Sequence, residues 1–114
     1  VTRTEIEALE GRALDAAVAE QVFGWRPDPR YEGIMASRML IPDGRRDVAP
    51  CYHEDWSTIP LIVEAMERYT YAFTLQKGGH RWYADFLWAP VCNDSAPTAV
   101  CRAALLVLGE VNDG

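Results

Sequence analysis

The stretch "YAFTLQKGGHRWYADFLW", residues 71–88, decides the fold. Apolar and polar residues alternate on both sides of Gly78-Gly79, the pattern of two antiparallel strands joined by a tight turn. A two-residue turn at Gly78-Gly79 pairs Leu75 with Trp82, Phe73 with Ala84 and Tyr71 with Phe86. These six then share one face. Gln76, Arg81, Thr74, Tyr83, Ala72 and Asp85 share the other. Side chains alternate with a period of two, so a one-residue slip would turn every apolar group to water, and the register is well specified. Strands are thus expected over 71–76 and 80–88, with Trp82, Phe86 and Tyr71 in the core.

Three amphipathic stretches surround this hairpin. In 4–23, Ile6, Leu9, Ala13, Leu14, Ala17, Val18 and Val22 recur at spacings of three and four, giving one apolar stripe on a helix. Gly11 is a weak point in it and Gly24 a stop, with Trp25 folding back onto the helix end. Residues 58–69 read as a second helix, capped by Ser57 or Thr58, with Pro60 in the first turn. Residues 95–108 read as a third, capped by Asp94 or Ser95 and ended by Gly109. The fold class is α+β, a small α/β/α sandwich with three helices around a short antiparallel sheet. Length fits a single domain over 1–114. A long loop or insert is expected at 26–56, in which "MASRMLI" (35–41) has the look of an edge strand.

Composition narrows the functional classes. The formal net charge is −6, which disfavours general nucleic-acid binding, since that requires Lys and Arg to replace counterions on phosphate. The same charge disfavours an anionic membrane surface. No apolar run approaches the ~20 residues of a membrane span, and no signal peptide is expected. The three cysteines, Cys51, Cys92 and Cys101, are widely spaced and make no C-x-x-C, so they read as reduced thiols.

The most polar cluster is "CYHEDWST", 51–58. Cys51 and His53, with Cys92 or His80, would be an incomplete zinc set without the short paired spacing such sites show, so no metal and no cofactor are expected. The plainer reading is a loop whose acidic residues precede a helix start. Four Trp and five Tyr are many for 114 residues. Tyr31, Tyr52, Trp56, Tyr83 and Trp88 are not all needed by the core. The plainer reading of these aromatics is packing of the long loop against the sheet, or a dimer contact. The functional one is that, with Arg81, Arg45 and Arg46, they form a stacking surface, centred on Tyr52, His53 and Trp56 beside Arg81 and Tyr83.

Three segments together carry a family likeness. "GRALDAAVAEQVFGW" (11–25), "YHEDW" (52–56) leading into "IPLIVEAMER" (59–68), and "SAPTAVCRAALLVLGE" (95–110) resemble, in order, the phage ABA sandwich domain family. The resemblance implies a sandwich fold and a phage or prophage protein in the host-cell cytoplasm. It supplies no catalytic residue. His53-Glu54 stands where a Ser-Thr pair is common in the family. The expected function is a non-catalytic accessory protein that binds a host or phage partner or sequesters a small nucleotide-like ligand, homo-oligomerisation being open. The alternatives are a minor hydrolase or nucleotide-modifying enzyme using His53, Glu54 and Asp55, and a virion or assembly component.

Overall fold

The computed structural model describes residues 3–31, 38–86 and 90–113. The first expected helix forms as two. Helix α1 (Arg3–Ala8) and helix α2 (Gly11–Gln21) meet at a break where Gly11 takes φ +54, a value that other residues adopt at a cost. The Leu9 carbonyl freed there accepts a 2.8 Å bond from Arg102 Nη2. The α2 stripe is also rotated from the expected one: Ala13 is exposed, while Asp15 is buried beside Leu14, Val18 and Ala19. Gly24 (φ +77) ends the helix, and Trp25 N–H bonds the Ala19 carbonyl at 2.9 Å. This closure, across six residues, folds Trp25 back as the sequence suggests.

Segment 26–56 is not an unstructured loop in its described part. Strands β1 (Arg26–Pro27), β2 (Arg38–Leu40) and β3 (Arg46–Val48) form a small antiparallel sheet in that order, so β2 is central rather than an edge. Residues 35–37 of the expected strand lie outside the described residues. Buried Asp28 holds this sheet together. Its amide bonds the Arg38 carbonyl, its carboxylate accepts from Arg30 N–H at 3.0 Å, and Arg46 Nε stands 3.4 Å away.

Helix α3 (Ile59–Met66) is shorter than the expected 58–69 and is preceded by a 3-10 turn, Trp56–Thr58. Asp55 caps that turn by accepting from the Ser57 amide and hydroxyl at 2.9 and 2.7 Å, and these bonds hold its carboxyl below the usual carboxylate range. The stretch 51–58 is therefore a helix start. Helix α4 (Ala96–Asp113) runs through Gly109 instead of stopping there; a helical glycine costs ~1 kcal/mol, which a well-buried helix tolerates.

The hairpin is β4 (Thr74–Gly78) and β5 (Arg81–Asp85), with β6 (Val91–Asn93) on the other side of β5. The turn falls at Gly79-His80, one residue later than expected, so Leu75 pairs with Ala84, Lys77 with Trp82 and Gly78 with Arg81. Gly79 takes φ +66, and Gly78 lies under the Tyr83 ring, where a Cβ would come within 3.0 Å of it. Moving the turn by one shifts both strands together and preserves parity. Leu75, Trp82, Ala84 and Phe86 therefore still face inward, and Tyr83 and Arg81 outward. Tyr71 does not belong with them: it is 86% exposed. The chain turns before it, with Ala72 N–H bonded to Thr70 Oγ1, and β4 begins only at Thr74. Residues 87–88 of the expected strand, including Trp88, lie outside the described residues.

Helix α4 packs on β5 and β6 and is flanked by α1, α2 and α3. Its fully buried Val100, Cys101, Ala104 and Val107 meet Phe86, Met39, Ile62 and Met66 in one core cluster. Trp82 lies at the margin of this core, half-buried. Trp82→Ala is accordingly expected to cost about 2 kcal/mol, the scale of one partly buried aromatic and its ring pair. Arg81→Ala, on the outer face, should cost under about 1 kcal/mol. Urea melts of the two variants give the comparison, and the opposite ranking would contradict the facing of β5.

Candidate functional site

Two features stand out. The first is a buried polar node. Asp15 is fully buried on α2. One of its oxygens, Oδ2, accepts from Arg12 Nη1 at 2.7 Å. The other, Oδ1, accepts the His53 backbone N–H at 2.8 Å and lies 2.7 Å from His53 Nδ1. Arg12 Nη2 also donates to the Ala49 carbonyl, and Nη1 stands 3.1 Å from Cys51 Sγ. From the other side, Ser95 Oγ, just before α4, and Thr98 Oγ1, in its first turn, donate to the His53 carbonyl at 3.3 and 2.8 Å. The loop 49–53 is thus pinned between α2 and α4. Each buried polar group here has a partner, which is the condition for such a network to add stability.

The second is a groove of about 580 Å³ between the α2 terminus, the loop at 50–52 and α3. Phe23, Trp25, Pro50, Tyr52, Thr58, Leu61, Glu64 and Ala65 line it. Tyr52 and Phe23 stack with ring centres 5.3 Å apart and planes within 10°. Tyr52 is only 4% exposed, whereas Leu61, at the rim, is 53% exposed. Burial pushes the Tyr52 phenol up to about 12, with the Cys101 and Asp15 charges adding to the shift. The group therefore stays a neutral hydrogen-bond donor at ordinary pH. The Thr58 hydroxyl is engaged with the Asp55 carbonyl at 2.6 Å.

The five residues proposed from the sequence are not gathered on one concave surface. Of them, only Tyr52 lines the groove, and it does so as a buried wall rather than an exposed stacking group. His53 is in the polar node. Trp56, 54% exposed, packs edge-on against Trp82 on the inner face of the hairpin, ring centres 5.1 Å apart. Arg81 and Tyr83 project from the opposite face, with Arg81 3.3 Å from Asp94. The basic spot at 44–46 is neutralised, Arg45 by Asp43 and Arg46 by Asp28. The side chain of Tyr31 lies outside the description. Among the described residues no three His, Cys, Asp or Glu side chains gather to hold a metal. The groove residues Phe23, Trp25, Leu61 and Glu64 escaped sequence reasoning. The usable signal was Leu61, an apolar residue on the water-facing side of an otherwise regular α3 stripe.

Comparison with known proteins agrees with this architecture. The model of the phage ABA sandwich domain matches residues 16–105. The chain belongs to that family. The elements from the second half of α2 to the first half of α4 fall within the matched span. A crystal structure of a phage protein from Bacillus cereus ATCC 14579 superposes with a TM-score of 0.65 over 89% of each chain, at 18% identity. That level of identity speaks for a shared fold alone. No curated protein matches the chain. Among the described residues, no helix of this ABA sandwich protein is long and apolar enough to cross a membrane.

Proposed function

We propose that this phage ABA sandwich protein is a non-catalytic accessory protein acting in the host cytoplasm, and that it binds a host or phage partner through the groove beside α3. The carrying observation is the groove itself: aromatic-walled, within the usual size range of ligand sites, and open along the rim at Leu61 and Glu64. Large exposed apolar groups beside a preformed cleft are a usual sign of an interaction site. Sequestration of a nucleotide-like ligand fits this groove less well, because Glu64, the one charged lining residue among those described, would repel phosphate. A hydrolase built on His53, Glu54 and Asp55 is also less supported. The Asp55 carboxylate is engaged as a cap, and His53 Nδ1 is engaged with Asp15.

The test is a peptide-display selection on the immobilised full chain, followed by affinity measurements on the recovered peptides. Leu61→Asp is expected to abolish their binding while the thermal midpoint stays within about 2 °C, since an exposed substitution typically changes stability by under ~0.5 kcal/mol. Recovered peptides that bind wild type and Leu61→Asp equally, or no enrichment over bare matrix, would remove the groove from the account.

A further inference from the structure

Resting on the groove as the binding site, we infer that its occupant is a segment of a partner protein that sets a Lys or Arg next to a large apolar side chain. Three features of the groove lead there. The first is charge. Among the described residues, Glu64 is the only charged one in the lining, and its carboxylate makes no ion pair. Beside it, the partly exposed rings of Phe23 and Trp25 offer aromatic surface. Ring faces attract cations within about 6 Å, so carboxylate and rings favour the same sign of ligand. A chain carrying −6 also draws cationic partners from a distance.

The second feature is shape. Leu61, Pro50 and Glu64 all reach solvent at the rim. Sites for small molecules enclose most of their ligand, whereas an open-sided groove leaves room for a chain to enter and leave. The apolar floor and rim, Pro50, Leu61 and Ala65, suit an apolar side chain beside the cationic one. The third is a spare donor. Among the described residues the Tyr52 hydroxyl makes no hydrogen bond, and as a neutral phenol it can donate to a backbone carbonyl of the bound segment.

The experiment uses the full-length, isotope-labelled chain and three short capped peptides, identical except for a central Trp-Arg, Trp-Gln or Trp-Glu pair. Amide shifts are followed by NMR during titration. The Trp-Arg peptide is expected to move the amides of Phe23, Trp25, Leu61 and Ala65 saturably. It should bind about threefold tighter than Trp-Gln, within the range for one exposed ion pair, with Trp-Glu weakest. Glu64→Gln should erase the difference between Trp-Arg and Trp-Gln. If Trp-Glu binds as well as Trp-Arg, or if Glu64→Gln leaves their ratio unchanged, the cationic preference is wrong and the groove stands as a site of another specificity. If none of the three peptides moves the groove amides, both the preference and the site are wrong.

Discussion

Asp15→Ala is expected to lower the unfolding free energy by about 3 kcal/mol and the melting temperature by on the order of 10 °C. The carboxylate accepts from Arg12 Nη1, the His53 amide and His53 Nδ1, and it is fully buried. Removing it leaves a buried amide donor without its acceptor and a guanidinium without its counter-charge. Arg12 is partly exposed and can be rehydrated, which keeps the cost near the lower end of the 3–5 kcal/mol typical of a broken buried pair. The effect should spread beyond α2. Loop 49–53 loses its anchor, so amide exchange at 51–53 should accelerate more than at the centre of α4. Asp15→Asn preserves the volume yet turns one acceptor into a donor facing other donors, and should recover less than half of the loss. A double cycle with His53→Ala should show a coupling of about 1 kcal/mol or more. Chemical denaturation of wild type and the four variants is the measurement. An Asp15→Ala cost below about 1 kcal/mol, or additive single effects, would mean that the node is ornamental to stability.

This node also shows where reading the sequence stops. Its partners are separated by 38 positions along the chain, so no spacing rule joins them, and Asp15 looks like the solvent-facing side of an amphipathic helix. Only its placement four residues before buried Ala19, on a stripe rotated from the obvious one, hints at an inward carboxylate. Local chemistry was legible where neighbours in sequence are neighbours in space. Gly24 and the Trp25 fold-back, the loop 51–58 as a helix start, and the two faces of the hairpin are all of this kind. Parity kept those faces correct although the turn slid to Gly79-His80. The sheet made by 26–48 was not legible beyond one strand. Its strands are two or three residues long, and it is held by a long-range contact from Asp28 to Arg46. The groove was half legible. Tyr52 stood out as an aromatic, but only packing against Phe23 makes it a wall instead of a free ring.

Stability should fall steadily above about pH 9, because two groups of the core resist losing their protons. Cys101, on α4, is fully buried, and burial pushes its thiol from 9.0 up to about 12, with the nearby Asp15 charge adding to the shift and Arg102 opposing it. The Tyr52 phenol moves the same way, from 10.0 to about 12, again mainly through burial. In the unfolded chain both ionise near their ordinary values. Alkali therefore strips protons from the unfolded state first, and that state gains free energy that the folded one does not. The stabilising contribution is whole below about pH 9 and is lost between pH 9 and 12. One such thiol removes about 1.4 kcal/mol for each pH unit in that window. Tyr52 adds to the slope above about pH 10, reduced by whatever solvent reaches its hydroxyl at the groove. By pH 11 the loss rivals that of Asp15→Ala. Urea melts at intervals from pH 7 to 11 test this, together with Cys101→Ala. That variant should be less stable at pH 7, by about 1 kcal/mol for a small cavity, yet should lose less on going to pH 11, so the two curves converge or cross. Parallel curves, or a wild type equally stable at pH 7 and 11, would show that the Cys101 thiol ionises as readily in the folded protein as in the unfolded chain.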